Sequence, residues 1–113
     1  MKKIHVYIAS PYTIGDTGLN VRVSMLMFHR LLNYNNGKTF VPFCPLWCHF
    51  QHILTPEKYD TWMEWDLAWL EKCDCILRLP GESAGASKEV DYAISKDIPV
   101  FFSLDELTNY YGV

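Results

Sequence analysis

No stretch of the chain approaches the ~18 consecutive apolar residues that a membrane span requires. No basic stripe runs along it either. The formal net charge is −3, which argues against a nucleic-acid polymer as partner. Internal repeats, linkers and low-complexity segments are missing, and so are a Walker-type glycine loop and a Ser-His-Asp arrangement. The opening Met1–Ala9 looks superficially like a signal peptide, but its apolar part is short and stops at Pro11-Tyr12. It reads better as a first strand. With no export signal, the four cysteines are expected as reduced thiols in a cytoplasm.

What is present fits one globular domain. The chain has 113 residues, half of them hydrophobic and a fifth charged, which allows a real core and excludes disorder. Ile4–Ala9 is an apolar run bounded by Ser10-Pro11 and predicts a central parallel strand. Ser10–Gly18 reads as a loop. Val21, Met25, Phe28, Leu31 and Leu32 recur at helical spacing, predicting a helix from about Leu19 to Asn33 that Asn35-Asn36-Gly37 ends. Phe40–Phe43 is a second strand, with Pro42 near its end or at an edge.

Residues 44–60 are the least legible and read as a long functional loop, with Thr55 or Asp60 capping a helix over 61–72. Cys75–Leu79 is a third strand, Lys88–Lys96 a third helix and Ile98–Phe102 a fourth strand. Ser103 caps a short last helix, Leu104–Tyr110. The alternation β-α-β-α-β-α-β-α implies an α/β fold, a flavodoxin-like or Rossmann-like domain with a parallel sheet of four to five strands and helices on both faces. Such sheets bind ligands beyond the carboxyl ends of their strands. That edge holds the Ser10 loop and the Gly81 loop.

Leu79–Glu89 carries the strongest local signal. Its Gly, Ala and Ser residues let a ligand approach the backbone, and a loop feeding a helix start offers unpaired N–H groups to an anion such as phosphate. Ser83, Gly85 and Ser87 fit an anion nest; turn and cap duties are the plain alternative for the two serines. Glu89, expected in the first helical turn, either complements the helix dipole or faces the ligand. A carboxylate beside an anion site suits a ligand with two ends, such as a nucleotide with its phosphate and its glycosidic carbon. Asp66 is anomalous as well. A helical wheel over 61–72 puts it on the face of Trp62, Trp65, Trp69, Leu70 and Cys73. A carboxylate there either bonds loop backbone or works in a pocket that shifts its pKa. Tyr7, in the first strand, reads on its own as core.

Cys44, Cys48, His49 and His52 are ligand types that zinc accepts. Their apolar neighbours favour packing, so neither a metal nor a cofactor is expected. An aromatic content of 15% exceeds what a small core hides. Self-association into a homodimer or a larger homo-oligomer is therefore expected, with Trp47, Phe50, Tyr110 and Tyr111 as interface candidates.

Taken together, these residues resemble the nucleoside 2-deoxyribosyltransferase-like superfamily, which includes deoxyribosyltransferases and 2′-deoxynucleoside 5′-phosphate N-hydrolases. Val6-Tyr7-Ile8-Ala9-Ser10-Pro11-Tyr12 is similar to its first strand and loop. Trp65-Asp66 with Leu70 and Cys73-Asp74 is similar to its central helix, and Ser83-x-Gly85-x-x-x-Glu89 with Tyr92-Ala93 to its nucleophile motif. The resemblance implies a small-molecule nucleoside or nucleotide substrate and places Ser10 and Pro11 in the substrate loop. It makes Glu89 a nucleophile on the anomeric carbon, Tyr7 the holder of Glu89, and Asp66 the group that helps protonate the leaving base. Ser83 stands where the transferases carry an acid and the phosphate-accepting hydrolases a serine, which implies a 5′-monophosphate. It also implies assembly as dimers or larger. The segment 45–60 has no counterpart in the family pattern and is expected as a lid or a subunit contact. The alternative function is a nucleotide-binding protein of the same fold that turns nothing over.

Overall fold

The computed structural model describes residues 2–113. Four strands form one all-parallel sheet: β1 (Ile4–Ala9), β2 (Phe40–Phe43), β3 (Cys75–Arg78) and β4 (Val100–Phe101), in the order β2-β1-β3-β4. Val6 lies opposite Pro42 on one side and Cys75 on the other. β1 is thus an inner strand and β2 an edge strand, where the missing N–H of Pro42 is tolerated. Five helices connect and cover the sheet: α1 (Thr17–Asn33), α2 (Cys48–Leu54), α3 (Tyr59–Leu70), α4 (Ala84–Ser95) and α5 (Leu104–Tyr111). This is the flavodoxin-like α/β arrangement. Among the described residues, no helix is long and apolar enough to cross a membrane.

Strand alternation divides the core into two layers. Val6, Ile8, Cys75 and Leu77 point to one face, where Leu31 of α1 and Leu107 of α5 meet them. Tyr7, Ala9 and Ile76 point to the other, under Leu70 of α3 and Ala86 and Ala93 of α4. Each fully buried Leu or Ile contributes about 1.5–3 kcal/mol. The small Ala86 and Ala93 let α4 lie close to the strands. That approach brings α4 over Tyr7.

Several expected boundaries move. Residues 44–60 are not a loop: a 3₁₀ turn over Pro45–Trp47 leads into α2. Neither Thr55 nor Asp60 caps α3, which starts after Lys58 without a side-chain cap. The Thr55 hydroxyl instead donates to the Gln51 carbonyl at 3.1 Å. α4 begins at Ala84, not Lys88, because the Ser83 hydroxyl accepts from the Ala86 N–H at 3.0 Å. Glu89 therefore sits in the second turn, not the first. α1 begins two residues early, capped by the Asp16 carboxylate. β4 shrinks to the two residues that pair with β3. Tyr111 packs in part on the α5 side of the core beside Phe101. Trp47, Phe50 and Tyr110 are exposed at 50%, 52% and 63%.

Candidate active site

A cavity of about 570 Å³ opens beyond the carboxyl ends of β1, β2 and β3. This is the size of a small-ligand site, and it lies at the position where a sheet of this strand order reverses its winding. Ser10, Tyr12 and Ile14 come from the loop after β1, and Pro45 and Leu46 from the turn after β2. Ser83, Gly85 and Glu89 come from the cap and first turns of α4. α2 and α3 close the remaining wall with Cys48, His52, Tyr59, Trp62 and Asp66.

Glu89 is 4% exposed and still reaches the cavity. The Tyr7 hydroxyl, which projects from β1 beneath it, donates to its Oε2. Burial pushes the Glu89 carboxyl up to about 8. The Tyr7 hydrogen bond pulls the other way, the nearby Asp66 charge adds to the rise, and the Arg78 guanidinium lowers it. Burial, and then the charge of Glu89, hold the Tyr7 phenol well above its ordinary value, so it remains a donor. Asp66 projects from α3, and burial raises its carboxyl to about 7. Its Oδ1 is enclosed and has no hydrogen-bond partner among the described residues. An enclosed carboxylate oxygen without a partner is costly, and a ligand donor would relieve it. Cys48 shares the cavity, but burial and then the Asp66 charge raise its thiol to about 12. It is therefore no nucleophile near neutral pH.

The helix start supplies the opposite polarity. Ser83 caps α4 by way of Ala86; Ala84 and Gly85 line the cavity with Lys88, and their N–H groups have no partner among the described residues. A Cβ on Gly85 would lie 3.3 Å from the Tyr59 hydroxyl, so a bare backbone lets α3 close against α4. The Lys88 ammonium stands 5.1 Å from the Tyr59 ring centroid. Behind this loop, Arg78 donates to the carbonyls of Leu79 and Gly81, the latter at 2.8 Å.

The other expected residues divide between the cavity wall and its surroundings. Ser10 lines the cavity and joins a buried chain, 3.1 Å from the Ser24 hydroxyl, which lies 2.9 Å from the Cys44 sulfur. Pro11 is buried outside the cavity lining and packs on Gly81, where a Cβ would stand 2.7 Å from its Cγ. Ser87 is exposed and lines a separate shallow groove with Asp91 and Phe102. Once α4 starts at Ala84, Ser87 turns away from the helix face that holds Glu89. His49 and His52 are committed to other partners: Tyr12 lies 2.5 Å from Nδ1 of His49, and Trp62 donates to Nδ1 of His52 at 3.0 Å. Among the described residues no cluster of three or more His, Cys, Asp or Glu is poised for a metal.

Tyr12, His52, Tyr59, Trp62 and Lys88 were not singled out by sequence reasoning as ligand contacts. The aromatic density of 45–62 was the available signal, but it does not say which rings turn inward. No protein-family model matches the chain, and no curated protein matches it.

Proposed function

We propose that the protein is an N-glycosidase that cleaves, or transfers, the base of a nucleoside or (deoxy)nucleoside 5′-monophosphate. One observation carries the reading: a buried glutamate held by a tyrosine hydroxyl shares one cavity with a second, partly buried acid. Two carboxyl groups in environments of this kind are the working parts of retaining glycoside chemistry.

In this scheme the Glu89 carboxylate attacks C1′ of the sugar as the C1′–N bond breaks. The departing base takes its proton from the neutral Asp66 carboxyl. Water then attacks C1′ of the glycosyl ester, releasing the Glu89 carboxylate; its proton returns to Asp66 and its oxygen stays on the sugar. Tyr7 positions Glu89 by holding Oε2 and leaving Oε1 to attack. The 5′-phosphate sits at the start of α4, where free N–H groups, the helix dipole and the Lys88 charge favour an anion. The half-exposed Trp47 and Phe50 mark the face through which the chain self-associates.

A binding protein without turnover is the second reading. It draws on the burial that keeps Glu89 largely and Asp66 partly protonated near neutrality, since neutral acids do not repel an anionic ligand. The deciding experiment is chromatography of free base after incubation with a panel of nucleosides and 5′-monophosphates, run beside Glu89→Ala. Base released by the wild type and not by the variant is the expected result. Full activity in the variant overturns the mechanism. Saturable binding without product selects the second reading.

A further inference from the structure

α2 carries a side chain that the proposed chemistry does not use. His52 lines the cavity, and two N–H groups converge on its Nδ1: the Trp62 indole at 3.0 Å and the Glu57 backbone at 3.2 Å. A ring nitrogen that accepts two hydrogen bonds carries no proton. The imidazole proton therefore sits on Nε2, which makes no hydrogen bond among the described residues. His52 is thus oriented by two neighbours that fix its tautomer and leave Nε2 as the donor.

Its place along the cavity gives that donor a meaning. Glu89 and Asp66 are close enough for their charges to interact. Trp62 lies one turn before Asp66 on α3, about 6 Å along the axis, and its indole N–H reaches His52. Followed through these contacts, the order is Glu89, Asp66, Trp62, His52. A substrate with its anomeric carbon at Glu89 extends its base past Asp66 and the aromatic wall of Trp62 and Tyr12. The edge that arrives at His52 is the one remote from the glycosidic bond.

We propose that His52 determines base specificity: its Nε2–H donates to an acceptor on the far edge of the base, the position of O6 in a 6-oxopurine or O4 in a 4-oxopyrimidine. The proposal rests on the substrate class inferred above. It selects 6-oxopurines and 4-oxopyrimidines because Nδ1 is occupied, so His52 has no acceptor to offer the amino group of adenine or cytosine. The same hydrogen bond strengthens as negative charge builds on the departing base.

The test uses two pairs of 2′-deoxynucleoside 5′-monophosphates: hypoxanthine against 1-deazapurine, and uracil against 2-pyridone. The second member of each pair carries only C–H groups on the far edge. Intrinsic differences in leaving ability cancel when the preference within a pair is compared between wild type and variant. His52→Phe keeps a ring and removes the donor; in the better-used pair it should lower the preference for the oxo member about tenfold, the worth of one hydrogen bond. His52→Gln, which keeps an acceptor for Trp62 and a donor for the ligand, should recover most of it. Long-range proton–nitrogen correlation spectra of the unliganded protein should show His52 as the Nε2–H tautomer.

Base release with an unchanged preference in a folded His52→Phe overturns the role of His52 and leaves the glycosidase reading intact. An Nδ1–H tautomer also overturns it. If no base is released, the same pairs are compared by calorimetric binding. A preference that His52→Phe abolishes then sustains the role of His52 while the glycosidase reading falls. Absence of both binding and turnover overturns both. Should His52→Phe fail to fold, His52→Leu, which also removes the donor, takes its place: a lowered preference supports the donor role, and an unchanged preference in a protein that melts normally overturns it.

Discussion

Tyr7 and Glu89 are joined by a hydrogen bond that spans 82 positions of sequence. It links the middle of the sheet to the helix that crosses above it. The tyrosine is completely buried and the glutamate nearly so, so the contact is shielded from water and holds one geometry. Tyr7→Phe removes the hydroxyl and keeps the ring packed on Phe43. In the proposed reaction it should lower kcat by roughly ten- to a hundredfold with little change in KM. Steady-state kinetics of base release separates these parameters, and an unchanged kcat would remove Tyr7 from the mechanism.

The two raised carboxyls set a pH dependence. Glu89 must be ionised to attack, and its carboxyl stands at about 8; Asp66 must be protonated to donate, and stands at about 7. Activity rises with pH as Glu89 ionises and falls as Asp66 does, so kcat/KM should trace a bell centred between about 7 and 8. Its limbs belong to the interacting pair. Asp66→Asn should slow turnover and remove the alkaline limb, which a pH–rate profile reads directly.

Stability should move in the opposite sense to activity. Below its unfolded value of 4.5, Glu89 is protonated in both states and contributes no pH dependence. Between 4.5 and about 8 the native state keeps a proton that the unfolded chain gives up, so stability declines as pH rises through that window. Asp66 behaves likewise from 3.8 to about 7. Glu89→Gln keeps an acceptor for Tyr7 and removes the titration. Denaturant melts should show it more stable than wild type at pH 8, by on the order of 3 kcal/mol, with the gap closing by pH 4. A gap of equal size at both pH values would refute the assignment.

Gly81 holds the loop after β3 against the loop after β1. Its φ is +118° and a Cβ there would stand 2.7 Å from Cγ of Pro11, so Gly81→Ala meets both backbone strain and a clash. A loss of about 1–3 kcal/mol is expected in urea titrations. The variant should also show weaker ligand binding, because the same loop leads into the Ser83 cap.

Trp47 and Phe50 lie with ring centroids 5.7 Å apart and about half exposed. Sedimentation equilibrium should find the wild type heavier than a monomer, and Phe50→Lys shifted toward the monomer. Because the residue is exposed, stability of the variant's folded unit should change by less than about 0.5 kcal/mol. A wild type that sediments as a monomer at high concentration would rule out association through this face.

The strands were legible because each is a compact apolar run: β1 and β2 have the expected ends and β3 is one residue shorter. α2 was not, since seven residues following Pro45 are too few to display a helical period, and its rings resemble those of a loop. The start of α4 was placed four residues late. Ala, Gly and Ser carry no periodic signal, and only the bond from Ser83 to the Ala86 N–H shows where the helix begins. Ser87 and Pro11 then fall away from the cavity for geometric reasons that composition does not carry.

From sequence alone came the α/β order, the central first strand and Asp66 and Glu89 as candidates, while Tyr7 became one only through the family resemblance. Apolar runs and an acid on an apolar helix face are local patterns that a linear reading detects. Only the tertiary structure decided that Tyr7 touches Glu89, that Asp66 Oδ1 has no partner among the described residues, and that His52, its Nδ1 engaged by Trp62, lines the same cavity. These relations arise where segments distant in sequence pack together. Burial, which raises both carboxyls, and convergence, which fixes the imidazole, exist only once the chain has closed on itself.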